Sequence, residues 1–325
     1  MSEITVVIPN YNGIKYLPDC LKSLEQQEPG TPDFTVLVVD NGSSDASVEL
    51  LEEQWPKVET ILLTENTGFC HAVNRGIQAS ESPYVILLNN DTKVKPGFVK
   101  GLYEAIRRDD RIFSVSAKML MWDRPELIDD AGDRYCALGW AYARGKGKAA
   151  ERYGEAAEIF AACGGAVIYR RSVFAEIGLF DEAHFAYLED IDIGYRARIY
   201  GYRNCYEPSA EVIHFGSAST GSRYNERKTQ LASANSVYIV GKNMPLLQLI
   251  LNLPFLLPGF FLKFLFFSRK KMGMLYLKGL WRGVQRCFGE EGRARKVPFR
   301  WCHLKHYLRI QWELYVGILQ FIKKS

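Results

Sequence analysis

The chain contains no Cys-x-x-Cys pair. Its seven cysteines, at positions 20, 70, 136, 163, 205, 287 and 302, are scattered and odd in number. That excludes a legible disulfide framework or zinc cluster and makes a reducing cytoplasm the expected home. No basic stretch with an apolar core opens the sequence. Ile4–Ile8 reads at once as a strand, so no signal peptide is expected. That strand leads into Pro9-Asn10-Tyr11-Asn12-Gly13 rather than Gly-x-Gly-x-x-Gly, which argues against a dinucleotide oxidoreductase. Acid is scarce in the tail: of 41 Lys+Arg and 37 Asp+Glu, 16 and 3 fall in residues 242–325, leaving 25 and 34 for residues 1–241. A mildly acidic globular part is joined to a basic tail, which calls for an anionic partner.

What is present in residues 1–122 is alternation. Strands are predicted over Ile4–Pro9, Phe34–Asp40, Val58–Leu63, Tyr84–Leu88 and Ile112–Met121, with helices over Ile14–Gln27, Asp45–Trp55, after Gly68, and over Pro96–Arg108. Such βα alternation predicts an α/β fold, a mostly parallel sheet with helices on both faces. Residues 123–160, rich in Gly, Ala and charge, break the pattern and look like an excursion. A strand over Ala161–Arg171, a helix over Asp190–Tyr200 and short strands at Tyr202–Tyr206 and Glu211–Phe215 follow.

Several of these strands end in polar ligands. In an open α/β sheet, ligands bind outside the carboxyl ends of the strands. Asn10 and Asn12 follow the first strand, Asp40-Asn41-Gly42 closes the second, and Asn89-Asn90-Asp91 closes the fourth. Each alone is also an Asx-turn pattern; three at one sheet edge point to a crevice. There Asp40 has the chemistry to accept a uracil or thymine imide N–H, and Asn10 or Asn12 to bond ribose or base. Gly68 opens a helix whose N-terminal N–H groups favour anions, and Arg75 sits there either as a cation for a diphosphate or as a partner for an acid. Glu189, Asp190 and Asp192 cluster at another helix start, where capping alone would explain them. Functionally, Asp190 suits a general base and Glu189 a group that orients acceptor or base. His214, at a strand end, pairs with Asp91 as a candidate set of metal ligands.

In order along residues 3 to about 220, Val7-Ile8-Pro9-Asn10-Tyr11-Asn12, Val38-Val39-Asp40-Asn41-Gly42-Ser43-Ser44-Asp45, Asn66-Thr67-Gly68-Phe69, Asn74-Arg75-Gly76, Leu88-Asn89-Asn90-Asp91-Thr92, Cys163-Gly164-Gly165-Ala166, Gly178-Leu179-Phe180-Asp181-Glu182, Glu189-Asp190-Ile191-Asp192 and His214 resemble the family 2 glycosyltransferases of GT-A fold, most closely the rhamnosyltransferase-like branch. The resemblance implies inverting transfer from a nucleoside-diphosphate sugar, a dTDP- or UDP-sugar. Pro9, Asn10, Tyr11, Asn12 and Asp40 would hold the nucleoside, with Gly68, Asn74 and Arg75 as further donor-binding positions. Asn90 would lie at the diphosphate, and Asp91 with His214 would bind Mg²⁺ or Mn²⁺. Gly164 and Gly165 would let the backbone approach the sugar, and Asp190 would deprotonate the acceptor. Where many members carry Asp-x-Asp, this chain has Asn89-Asn90-Asp91, so one carboxylate remains. A catalytically silent sugar-nucleotide or membrane-binding protein of the same fold is the alternative.

The organisation expected is a catalytic domain over residues 1–241, with a nucleotide-sugar half to about 122 and an acceptor half over about 160–220, then a basic helical region over 242–325. Leu246 to Phe267 is apolar and long enough to span a bilayer, but Asn252, Pro254, Pro258 and Lys263 interrupt it; the prolines predict a kink or a re-entrant hairpin. Interleaved Arg, Lys, Trp and Tyr follow, which suits an anionic inner leaflet. The expectation is a cytoplasmic protein held peripherally on the inner membrane face and acting on a saccharide or lipid-linked saccharide. No nucleic-acid module is recognised, and a homodimer is allowed by the sequence.

Overall fold

The computed structural model describes residues 2–216 and 225–324; residues 217–220, the end of the expected acceptor half, lie outside them. The globular part runs β1 (Ile4–Asn10), α1 (Leu17–Glu25), β2 (Phe34–Asn41), α2 (Ser47–Gln54), β3 (Glu59–Leu63), α3 (Phe69–Ala79), β4 (Tyr84–Leu88), β5 (Thr92–Val94), α4 (Phe98–Arg107), β6 (Ile112–Met121), β7 (Ile128–Asp130), β8 (Asp133–Cys136), β9 (Trp140–Ala143), β10 (Ala157–Ile159), β11 (Ala166–Arg170), α5 (Phe174–Ile177), α6 (Glu189–Ile199) and β12 (Arg203–His214). The helical region comprises α7 (Glu226–Asn243), α8 (Leu246–Arg269), α9 (Gly273–Phe288), α10 (Glu290–Ala294) and α11 (Leu304–Lys324).

The main sheet has the order β10-β12-β6-β11-β4-β1-β2-β3. β4, β1, β2 and β3 are parallel, and so are β6 and β12, whereas β11 runs antiparallel between β4 and β6. Side chains alternate across β1. Val6 and Ile8 pack with Leu17, Leu21 and Leu24 of α1 and Phe98 of α4, while Val7 packs with Val73 and Ile77 of α3. A sheet coated on both faces needs continuous apolar strands, which is why β4 carries the run Val85–Leu88 and β1 the run Val6–Ile8.

Three expectations change. Tyr202–Tyr206 and Glu211–Phe215 are one strand, β12, with a register irregularity between Glu207 and Glu211 where it follows β6. The strand expected over Ala161–Arg171 begins only at Ala166, which leaves Cys163, Gly164 and Gly165 in the loop before it. Pro254 and Pro258 neither end α8 nor fold it back. The helix runs on for 24 residues, with both prolines on its exposed side.

The division expected at 241/242 falls inside α7, which is tied to the globular part by buried charge. Lys242 Nζ lies 2.7 Å from Asp181 and 2.8 Å from Asp192, and Arg196 lies 2.9 Å from Asp192. Arg295 pairs with Asp181, and Asn243 Nδ2 donates to Asp192 at 2.8 Å. Although burial opposes ionisation, Lys242 and Arg196 hold Asp192 well below the usual carboxylate range. Lys242→Met would leave these acids undercompensated and is expected to cost about 3–5 kcal/mol. Urea unfolding checks this; a loss under about 1 kcal/mol would show that Arg196 and Arg295 suffice.

Candidate active site

Parallel pairing brings the carboxyl ends of β1, β2 and β4 to one edge. Asn10 stands opposite Asp40 in the ladder, and its Nδ2 donates to Asp40 Oδ2 at 2.8 Å. Asn90 Nδ2 donates in turn to Asn10 Oδ1 at 2.7 Å. The Ser43 backbone N–H and hydroxyl also donate to Asp40, at 2.9 and 2.7 Å. Asn12 Oδ1 accepts from the Ser44 N–H at 2.8 Å. This net fixes the loops after β1 and β2 against each other.

His214 reaches Asp91 through a short ladder. β5 pairs antiparallel with β12, Thr92 opposite His214, so Asp91 comes beside the imidazole across 123 positions of sequence. His214 Nε2 is 3.4 Å from Asp91 Oδ1, and Nδ1 is 2.7 Å from Asp129 Oδ2. Lys146 closes the set at 2.5 Å from Asp129. Burial would lower the His214 pKa, but Asp129 and Asp91 raise it to about 9. Burial would raise that of Asp129, but the His214 hydrogen bond and Lys146 hold it at about 2.

Glu189 and Asp190 open α6, where the Ile191 N–H lies 2.7 Å from Asp190 Oδ1. Asp130, Asp133, Glu189 and Asp190 form a second acidic group, each raised above its usual range by burial first. Carboxyls so crowded cannot all ionise. Asp133 and Asp190 hydrogen-bond to one another, which lowers Asp190 and raises Asp133. Burial is the largest cause for both, so both Asp133 and Asp190 stand above the usual carboxylate range.

A cavity of about 920 Å³ contains both centres. Of the residues expected from sequence, Pro9, Asn10, Tyr11, Asn90, Asp91, Gly164, Gly165, Glu189, Asp190 and His214 line it. Asn12, Asp40, Gly68, Asn74 and Arg75 do not. Asp40 lies buried behind the wall in the net just described, while Asn12 is exposed beside it. Asn74 is buried, with Nδ2 donating to Phe180 O at 2.8 Å and to Glu182 Oε1 at 3.0 Å, so it clamps the segment before α6. Arg75 is exposed on the outer side of α3. Gly68 serves a close approach, but to protein: a Cβ there would lie 2.7 Å from Phe185 O, and the next turn's Cys70 N–H donates to that oxygen at 3.2 Å. Asp192 belongs to the buried ion network.

Asp129, Asp130, Asp133 and Lys146 were not expected here. All fall in the excursion after residue 122. Asp129 and Asp130 reach the site because β7 pairs with β6, Asp130 opposite Met119.

Asp91 and His214 fit a divalent cation. A carboxylate oxygen and an imidazole nitrogen 3.4 Å apart suit two ligands of one ion, with the cation displacing the proton that Asp129 and Asp91 otherwise hold on the ring. Asp129, bonded to the other ring nitrogen, orients the imidazole as carboxylates do behind metal-ligating histidines. A mixed N/O set suits Mn²⁺, and Mg²⁺ accepts the oxygen share. Asp129→Asn is expected to weaken Mn²⁺ binding about 10- to 100-fold; unchanged affinity in a titration of the metal alone would show that the bond does not orient the ring.

The family model of glycosyl transferase family 2 matches residues 5–178. Over 215 residues the chain is 32% identical to the N-acetylglucosaminyl-diphospho-decaprenol L-rhamnosyltransferase of Mycobacterium tuberculosis, covering 58% of this chain and 68% of that protein. The Staphylococcus aureus TarS 1-349 structure in complex with UDP-GlcNAc is similar in fold, with a TM-score of 0.59, 17% identity, and coverage of 99% and 92% of the two chains. A mannosyltransferase from Pyrobaculum calidifontis in complex with GDP-Man and Mn²⁺ gives a TM-score of 0.53 at 14% identity, covering 100% of this chain and 88% of that one.

Proposed function

We propose, from the premise that the chain belongs to glycosyl transferase family 2, that it transfers a sugar with inversion from a nucleoside-diphosphate sugar to a hydroxyl of a lipid-linked saccharide, in surface polysaccharide synthesis. The observation that carries this is one cavity lined by both the Asp91–His214 pair and Asp190. Asp190 takes the proton of the acceptor hydroxyl as its oxygen bonds the anomeric carbon. The bond from that carbon to the diphosphate breaks in the same displacement, and the nucleoside diphosphate leaves. Asp133 lies beside Asp190 in the same buried acidic group, which raises the pKa of the base. Asn10 and Tyr11 line the donor side, with Tyr11 exposed enough to stack on a base. Asp91 and His214 would hold Mn²⁺ or Mg²⁺, which, when bound, supplies neutralisation of the leaving diphosphate.

Rhamnose is the first sugar to test, from the mycobacterial relative's name, carried on dTDP as the family resemblance implies, and UDP-sugars the next, from the UDP-GlcNAc complex of the structural neighbour. A screen of nucleotide sugars, with and without Mn²⁺ or Mg²⁺, is expected to give metal-dependent release of nucleoside diphosphate from one of them. Binding without turnover of any sugar in the presence of lipid-linked acceptors would favour the catalytically silent reading.

We place the protein on the cytoplasmic face of the membrane through its helical region. α8 has a mean hydropathy of 1.9 over its most apolar 18 residues, of which 17% are buried. Its two amides, Gln248 and Asn252, point inward. Asn252 and Gln311 exchange amide hydrogen bonds of 2.7 and 3.0 Å, and Tyr195 donates to Gln248 at 2.9 Å. Leu253, Leu257, Phe261 and Leu265 are left outward, and exposed Trp281 on α9 and Trp312 on α11 extend the apolar surface. A helix fastened to the protein along its polar side suits lying in the interface rather than crossing it. Vesicles containing phosphatidylglycerol are expected to float the parent protein, with Leu253→Glu/Leu257→Glu lowering the partition constant about a hundredfold, since two buried leucines contribute roughly 3 kcal/mol or more. Equal flotation of parent and variant would remove α8 from the contact.

A further inference from the structure

Beyond this reading of the cavity, the segment that leads into Asp190 has an unusual backbone. Among the described residues, five non-glycine positions have positive φ, and three are here: Phe185 at 62°, Tyr187 at 72° and Leu188 at 67°. Leu188 is also the residue from which α6 starts, so its conformation sets where Glu189 and Asp190 stand. Bulky residues hold such conformations only where the surroundings over-determine them. Gly178–Glu182, just upstream, is fixed by Asn74. Apart from the Cys70 N–H on Phe185 O, what fixes 184–188 comes from the helical region.

Asn235, on α7, has none of its surface exposed. Its Nδ2 donates to three carbonyls of the segment, His184 at 3.0 Å, Ala186 at 3.0 Å and Tyr187 at 2.8 Å. Its Oδ1 accepts from Arg286 Nη1 of α9 at 2.9 Å. The amide's orientation is settled by chemistry, because a flip would set its oxygen against three carbonyl oxygens and its N–H groups against a guanidinium. α9 can reach α7 closely because Gly279 and Gly283 face it. A Cβ at Gly283 would lie 2.4 Å from Ala234 O, and one at Gly279 would lie 2.8 Å from Gln230 O. The backbone contact therefore places Arg286 on the amide, and the amide on the loop.

We infer that Asn235 is a positioning residue for transfer: its amide, backed by Arg286, holds residues 184–188 in the conformation that aims Asp190 into the cavity. It touches neither donor nor acceptor. Side chains of Asp or Leu at 235 would supply no N–H to the three carbonyls, whereas much of the sheet's donor side would be untouched.

The inference rests on the transferase reading only for its kinetic part, so the test has two arms. In Asn235→Ala, amide hydrogen exchange over residues 184–190 is expected to speed up about tenfold or more, with β1 and β4 unchanged. With the nucleotide sugar found in the screen, kcat is expected to fall at least about tenfold and the donor KM to move less than about twofold. Ser236→Ala, next on α7 and bonded only within the helix through Ala232 O, is the control and should change neither. Should Asn235→Ala fail to fold, Arg286→Ala reads the same two quantities with smaller effects in the same direction. Unchanged exchange over 184–190 in the folded variant overturns the inference, and so does an unchanged kcat in an active enzyme. Faster exchange in a parent that turns over no sugar upholds the clamp and sinks the transferase reading instead.

Discussion

Asp190→Asn is expected to lower sugar transfer by about 10²- to 10⁴-fold, the share a positioned general base contributes, while leaving nucleotide binding and folding intact. The amide keeps the size of the carboxylate and its place beside the Ile191 N–H, but it takes no proton. The charge it removes is one the surroundings disfavour, since burial raises the Asp190 pKa. The base must be ionised to act, and a raised pKa moves its protonation to higher pH. Activity of the parent is therefore expected to fall on acidification sooner than an ordinary carboxylate would dictate. Rates of nucleoside diphosphate release across pH, for parent and variant, check both statements. A variant as active as the parent would remove Asp190 from the chemistry.

Asp91→Ala is expected to abolish metal-dependent activity, and added Mn²⁺ or Mg²⁺ should not restore it. Of the Asn89-Asn90-Asp91 run, only Asp91 brings a carboxylate, and it stands 3.4 Å from His214. With one acid where two are common in the family, no neighbour in the run replaces it. Asn89→Ala should be milder, because the Asn89 oxygen that bonds Thr92 belongs to the backbone. Metal titration followed by activity assay distinguishes the two variants; equal activity of Asp91→Ala and the parent would return this strand end to a turn.

The strand ends were legible because an apolar strand that stops at Asn or Asp changes chemistry within one residue, as Leu88 to Asn89 does. The pairing of those ends follows from parallel order, which the βα alternation already implied. The task of each polar residue was less legible. Asp40 is a strand end, but its oxygens are taken by Asn10 and Ser43, contacts set by register. Asn74 sits in a motif, yet it faces the chain more than 100 residues on. Asp129 and Asp133 lie in a segment without periodicity, and three-residue β7 carries no pattern long enough to announce itself. Nor does composition reveal which way a helix turns. In α8 the amides of Gln248 and Asn252 face inward while Leu253, Leu257 and Leu265 face outward, the reverse of what a soluble helix would show. Asn235 gives no local signal, because its partners lie about 50 positions away on both sides.

The most direct test of the central claim is the anomeric configuration of the product, read by NMR from the transferred sugar's C1–H1 coupling after turnover with Mn²⁺. A single displacement, with Asp190 as base and the diphosphate leaving from the opposite face, predicts a configuration inverted from that of the donor. A retained configuration, or no transfer from any nucleotide sugar, would contradict it.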